Sequence, residues 1–182
     1  MPESNDSLEL PAWAQVGSAR RDHIRRVTEL LESWAVALDV SPEEAAAWRD
    51  AGRWHDALRD APEDMLRAIT GDSSGRTEML HGPAAATMLA RDGEVRLDLL
   101  DAIRFHTVGH PAWARVGRSL YMADFLEPGR EFARADRAIL AARVDQDFDG
   151  VFREVVRTRI QWALREGHAV FEQTIATWNA LQ

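Results

Sequence analysis

Four histidines and two aspartates of this 182-residue chain fall where polar side chains are not expected. At helical spacing His23 shares a face with Val27, Leu30 and Trp34, and His55 falls with Trp48, Ala51 and Leu58. His81 lies with Ala84, Ala85 and Met88, His106 with Leu99 and Ile103, and Asp124 with Gly117 and Leu120; Asp56 is the neighbour of His55. A polar group on a buried stripe costs several kcal/mol unless something compensates it. One such histidine is most simply a core residue hydrogen-bonded to a carbonyl. Six such residues are harder to satisfy one at a time. Imidazole nitrogen and carboxylate oxygen both bind divalent metals, and a shared metal centre would satisfy them together. The steps His23 to His55, to His81, to His106 and to Asp124 are 32, 26, 25 and 18 residues, returning the chain about one helical hairpin at a time to a common point.

The elements that must position these groups read as helices almost throughout. Residues 1–11 form a polar tail and residues 12–182 a single domain. Ile24, Val27, Leu30, Leu31, Trp34 and Leu38 make one stripe. Ser41-Pro42-Glu43-Glu44 is a helix start, with Ser41 as cap and Pro42 in the first turn, and that helix carries Trp48, Ala51, Trp54 and Leu58. A shorter helix opens at Asp60-Ala61-Pro62-Glu63 and ends near Gly71; residues 71–77 are a loop. Helices are then expected from about Glu78 to Gly93, over about 95–107, 112–126 and 134–143, and in a long C-terminal amphipathic segment through Phe148, Val151, Phe152, Val155, Ile160 and Trp162. His168 falls in that C-terminal helix and reads as structural or exposed. No stretch alternates with period two, so the fold class is all-α.

Composition narrows the chemistry. The chain has no cysteine, which excludes disulfides, thiol nucleophiles and thiolate metal sites. Its 22 basic residues are all arginine, which excludes lysine chemistry. The net charge of −8 lacks the basic footprint of a duplex-binding protein, so an anionic substrate needs a locally basic pocket. With no apolar run of membrane-spanning length and a polar N-terminus, the expectation is a cytoplasmic protein without membrane contact.

The order H…HD…H…H…D resembles the HD-domain phosphohydrolases. The flanking words His55-Asp56-Ala57-Leu58-Arg59-Asp60, Leu80-His81-Gly82-Pro83-Ala84-Ala85, His106-Thr107-Val108-Gly109 and Tyr121-Met122-Ala123-Asp124-Phe125-Leu126-Glu127-Pro128-Gly129-Arg130 are similar to its YqeK-like branch, the bacterial symmetrical bis(5′-nucleosyl)-tetraphosphatases. The resemblance runs from about Leu10 to Trp178-Asn179. It departs at Arg59, where many relatives have lysine, and at His110, where relatives often have arginine. Arginine at 59 keeps the charge but offers a planar fork.

That resemblance implies an HD-type helical bundle with a metal site at its centre. His23, His55, Asp56 and Asp124 would hold one metal, and His81 and His106 a second, with Asp56 bridging. The implied cofactor is one or two divalent ions, iron first, with manganese, cobalt or zinc as alternatives. The implied activity is hydrolysis of diadenosine tetraphosphate to two ADP by a metal-activated hydroxide, with Asp56, Arg59 and Arg130 as catalytic residues. Arg59, His110, Glu127 and Arg130 are the expected substrate contacts, Glu127 also serving as an acceptor behind a ligand histidine. The partner is a small nucleotide, with a homodimer left open. Hydrolysis of another nucleotide (a mono- or triphosphate) and a non-catalytic nucleotide sensor are the alternatives.

Overall fold

The computed structural model describes residues 8–182; the first seven residues of the expected tail lie outside the described residues. Among the described residues there are nine α-helices and no strand: α1 (Ser18–Ala37), α2 (Pro42–Trp54), α3 (Glu63–Thr70), α4 (His81–Arg91), α5 (Leu97–Phe105), α6 (Arg115–Leu126), α7 (Arg134–Ala141), α8 (Phe148–Arg165) and α9 (Glu172–Asn179). The expected stripe of α1 is buried at Ile24, Val27, Leu31 and Trp34, with His23 on the same face. At the start of α2, Ser41 accepts a hydrogen bond from the Glu44 amide at 3.2 Å, and Pro42 opens the helix.

Helix α6 is buried on nearly every side: Val116, Ser119, Leu120, Tyr121, Met122, Ala123, Asp124 and Leu126 are all covered. A helix without a solvent face belongs at the centre of its fold, and α6 packs against α1, α2, α5, α7 and α8. Around it Val27, Leu31, Trp48, Leu99, Ile103, Phe152 and Val155 form the main core. Each such side chain contributes roughly 1.5–3 kcal/mol of burial. A smaller cluster of Leu58, Leu66, Leu80 and Ala84 packs α3 onto α4.

The helix ends differ from the sequence reading in ways that matter for the site. Helix α2 stops at Trp54, so His55 caps it and Leu58 lies in the following turn. Helix α4 begins at His81, after a short 3₁₀ turn at Thr77–Met79. Helix α5 ends at Phe105, and His106 caps it. The C-terminal segment is two helices, not one. Gly167, at φ +70°, breaks the chain after α8, so His168 lies between α8 and α9 and not in a helix.

Candidate metal centre

Three of the candidate histidines stand at helix ends, and each uses the same local device. His55 Nδ1 donates to the Gly52 carbonyl at 2.8 Å, His81 Nδ1 to Glu78 at 2.9 Å, and His106 Nδ1 to Ile103 at 2.8 Å. In each case the acceptor lies three residues earlier. The last turns of α2 and α5 leave the Gly52 and Ile103 carbonyls without a partner, so there the imidazole satisfies the carbonyl, and in all three cases the carbonyl fixes the tautomer. The proton on Nδ1 leaves the Nε2 lone pair facing inward. His23 is held differently, through Nδ1 to Glu127 Oε1 at 3.2 Å across 104 residues of chain.

The four Nε2 atoms converge on two carboxylates. His23 Nε2 faces His55 Nε2 at 3.4 Å, and His81 Nε2 faces His106 Nε2 at 3.1 Å. Asp56 lies between the pairs and divides its oxygens. Oδ1 is 3.2 and 3.4 Å from His81 and His106, while Oδ2 is 3.7 and 3.6 Å from His23 and His55. Two groups able to hold a metal ion therefore share one residue: His23, His55 and Asp56, and Asp56, His81 and His106. Asp124 joins through Oδ1, 3.2 Å from His23 Nε2. At His81 and His106 two imidazole nitrogens and a carboxylate oxygen meet within 3.4 Å of one another. That arrangement of donors fits a cation.

Burial sets the charges. It pushes His55 down to about 4 and lowers His81 as well, so both are neutral at pH 7. Burial opposes charge on His23 too, but hydrogen bonds to Asp124 and Glu127 outweigh it and raise His23 to about 9. Burial would raise Asp56, Asp124 and Glu127. The imidazoles hold Asp56 well below the usual carboxylate range, Arg130 and His23 do the same for Asp124, and His23 and Arg26 bring Glu127 to about 2.

A ligand nitrogen must be unprotonated, so uptake of a metal at His23 would require loss of a proton. We therefore expect proton release on metal addition, and an apparent affinity that rises with pH up to about 9. Calorimetric titration in buffers of different ionisation heat measures both; an affinity flat between pH 7 and 9 would refute it. The sign for stability follows the same shifts. His23 stabilises the metal-free fold fully below 6.5 and loses that contribution as pH rises through about 9. His55 favours folding above 6.5 and loses it as pH falls toward about 4. The melting temperature of the metal-free protein should fall on both sides of about 6.5.

Residues 20–141 match the HD domain family. That stretch contains all six converging residues. The chain belongs to the HD-domain family. Among relatives of this HD domain, the symmetrical bis(5′-nucleosyl)-tetraphosphatase of Halalkalibacterium halodurans is 28% identical over 137 residues, 75% of this chain and 70% of that protein. The protein of the same name from Bacillus subtilis is 27% identical over 139 residues, covering 72% and 74%. A crystal structure of a predicted HD superfamily hydrolase involved in NAD metabolism, from Clostridium acetobutylicum, superposes with a TM-score of 0.77 at 27% identity over 91% of this chain and 90% of that one.

The HD centre also uses residues the sequence reading passed over. Arg20 donates to Asp56 Oδ2 at 2.7 Å. Arg26 pairs with Glu127. These two arginines stand three residues before and after His23, on its own face of α1, and that spacing was the available signal. Arg137 is buried and donates to the carbonyls of Glu127 and Arg130, fixing the turn after α6. Of the expected substrate contacts, Arg130 reaches Asp124 Oδ1 at 2.7 Å and Arg59 donates to the Glu78 carbonyl at 3.1 Å. Glu127 is buried behind His23, with its second oxygen taken by Arg26 and the Gly129 amide. His110 stacks on Phe105 at 4.8 Å; among the described residues no hydrogen bond or ion pair links it to the six. His23, Arg20 and Arg26 border a cleft of about 420 Å³ with Gly17, Asp60 and Glu127. No helix among the described residues is long and apolar enough to cross a membrane.

Proposed function

We propose that this HD-domain hydrolase cleaves diadenosine tetraphosphate symmetrically to two ADP, with His23, His55, Asp56, His81, His106 and Asp124 holding one or two divalent ions. The observation that carries the hydrolase reading is Asp56 dividing its two oxygens between two histidine pairs. A bound metal pair would lower the pKa of water and polarise the phosphoryl oxygen under attack. The protein's own share is orientation and charge. Glu127 aligns His23, and three main-chain carbonyls align His55, His81 and His106. Arg20 and Arg26 border the cleft beside His23, while Arg59 and Arg130 flank the centre; planar guanidinium forks match phosphate oxygens. Iron, manganese, cobalt and zinc all suit a site of nitrogen and oxygen.

The name shared by the relatives supports the substrate. Chromatography of the products tests it: ADP alone is expected, and ATP with AMP would overturn symmetric cleavage. The Clostridium neighbour, described as involved in NAD metabolism, favours a second reading in which another nucleotide is the substrate. A panel of mono-, tri- and dinucleotides assayed with each of the four metals separates the two. Turnover of a different nucleotide at higher kcat/KM would replace the first reading with the second.

A further inference from the structure

The HD match ends at residue 141, yet the hairpin of α8 and α9 beyond it reaches the centre. Past His106 the chain leaves α5 through Thr107, Val108 and Gly109. The amides of Val108 and Gly109 close on the Phe105 carbonyl, at 2.9 and 2.8 Å. The outward carbonyls of the turn are taken by the hairpin instead. Arg159 Nη2, from α8, donates to Thr107 O at 3.2 Å, and Thr174 Oγ1, from α9, donates to Val108 O at 2.7 Å. Gly109, at φ +92°, lies so close to α9 that a Cβ there would meet Thr177 Oγ1 at 2.7 Å. Of the three residues after a candidate ligand, two are thus hydrogen-bonded to the same hairpin and the third lies close against it.

Arg159 also reaches the other half of the centre. Its guanidinium lies over the Tyr121 ring at 4.2 Å, one turn before Asp124 on α6. Its Nη1 is buried without a hydrogen-bond partner and lies 3.9 Å from Asp124 Oδ2. The guanidinium is partly exposed but stacked on Tyr121, and this one side chain spans from the neighbour of His106 to Asp124.

We propose that the α8–α9 hairpin is a positioning element of the metal centre, in which Arg159 and Thr174 hold the Thr107–Gly109 turn and so set where His106 presents Nε2. This rests on the reading of the six residues as metal ligands. Outer partners of metal ligands commonly govern 10–100-fold in metal affinity, and a residue acting through the backbone belongs at the lower end.

The test is equilibrium dialysis of the full chain against iron(II), manganese(II), cobalt(II) or zinc(II) alone, with elemental analysis. Alongside it runs the melting temperature of the metal-free protein. Thr174→Val keeps the shape and removes the hydroxyl; it should lower metal affinity about tenfold. Thr174→Ser restores the donor and should restore affinity to within about twofold. Arg159→Met, at a side chain with one edge in solvent, should lower affinity in the same direction and keeps the test alive if Thr174→Val does not fold. Affinities unchanged in both variants, whatever their melting temperatures, would overturn the proposal and leave the hairpin a packing element. A wild-type chain that takes up none of the four metals would overturn the ligand reading and this proposal with it.

Discussion

Asp56→Asn is expected to lose metal and activity together, by at least the 10–100-fold that damage to a mere outer partner of a metal ligand brings. The amide is almost isosteric, but it carries no charge and one good acceptor oxygen where the carboxylate has two. Asp56 needs both: Oδ1 serves the His81 and His106 side, and Oδ2 the His23 and His55 side and Arg20. The metal-free variant should still fold, because the helices around it are held by their own apolar stripes. Elemental analysis, turnover and circular dichroism on the same samples check all three points. A variant that keeps both metal and turnover would make Asp56 a buried hydrogen-bonding residue and no bridge.

Gly82→Ala should be the second large effect, and its sign runs against helix propensity. Alanine normally improves on glycine in a helix by about 1 kcal/mol. Here a Cβ would meet the backbone carbonyls of Ile103 and Arg104 at 2.7 and 3.1 Å, and His106 Nδ1 at 3.1 Å. Those carbonyls belong to the last turn of α5 and cannot swing aside as a side chain does. The added methyl lands on the hydrogen bond that orients His106. Overpacking of this kind costs about 1–3 kcal/mol, or roughly 2–12 °C in Tm for a chain of this size. Metal affinity should fall with it. Scanning calorimetry and metal titration measure the two effects; a stabilised variant with full metal content would show that α4 and α5 separate freely.

The stripe of α1, the capped start of α2 and the convergence of six polar residues were legible because each rests on local spacing. What the sequence hid follows from what local spacing omits. His55 and His106 read as helix-interior residues because periodicity carries on through them; in the structure their rings take the carbonyls that end those helices. In the sequence α9 merges with α8 because its eight residues, Glu172–Asn179, follow Phe171 at the N-cap with no side-chain cap to mark a start. The site arginines were the hardest to see. Arg20, Arg26, Arg137 and Arg159 look like solvated surface charge until the fold brings a carboxylate or a carbonyl to each.

The different anchoring of His23 makes the two halves of the centre unequal in lability. His55 and His106 carry their acceptors in the last turn of their own helices and His81 in the 3₁₀ turn before α4, each only three residues away, with the turn after His106 backed by the α8–α9 hairpin. His23 depends on Glu127, a closure across 104 residues between α1 and the turn after α6. Any fluctuation that opens this closure frees one imidazole and leaves the other three aligned. Were ions held at both halves, as proposed, their exchange with solvent should begin at the His23 side, next to the open cleft, and be slower on the side built on His81 and His106.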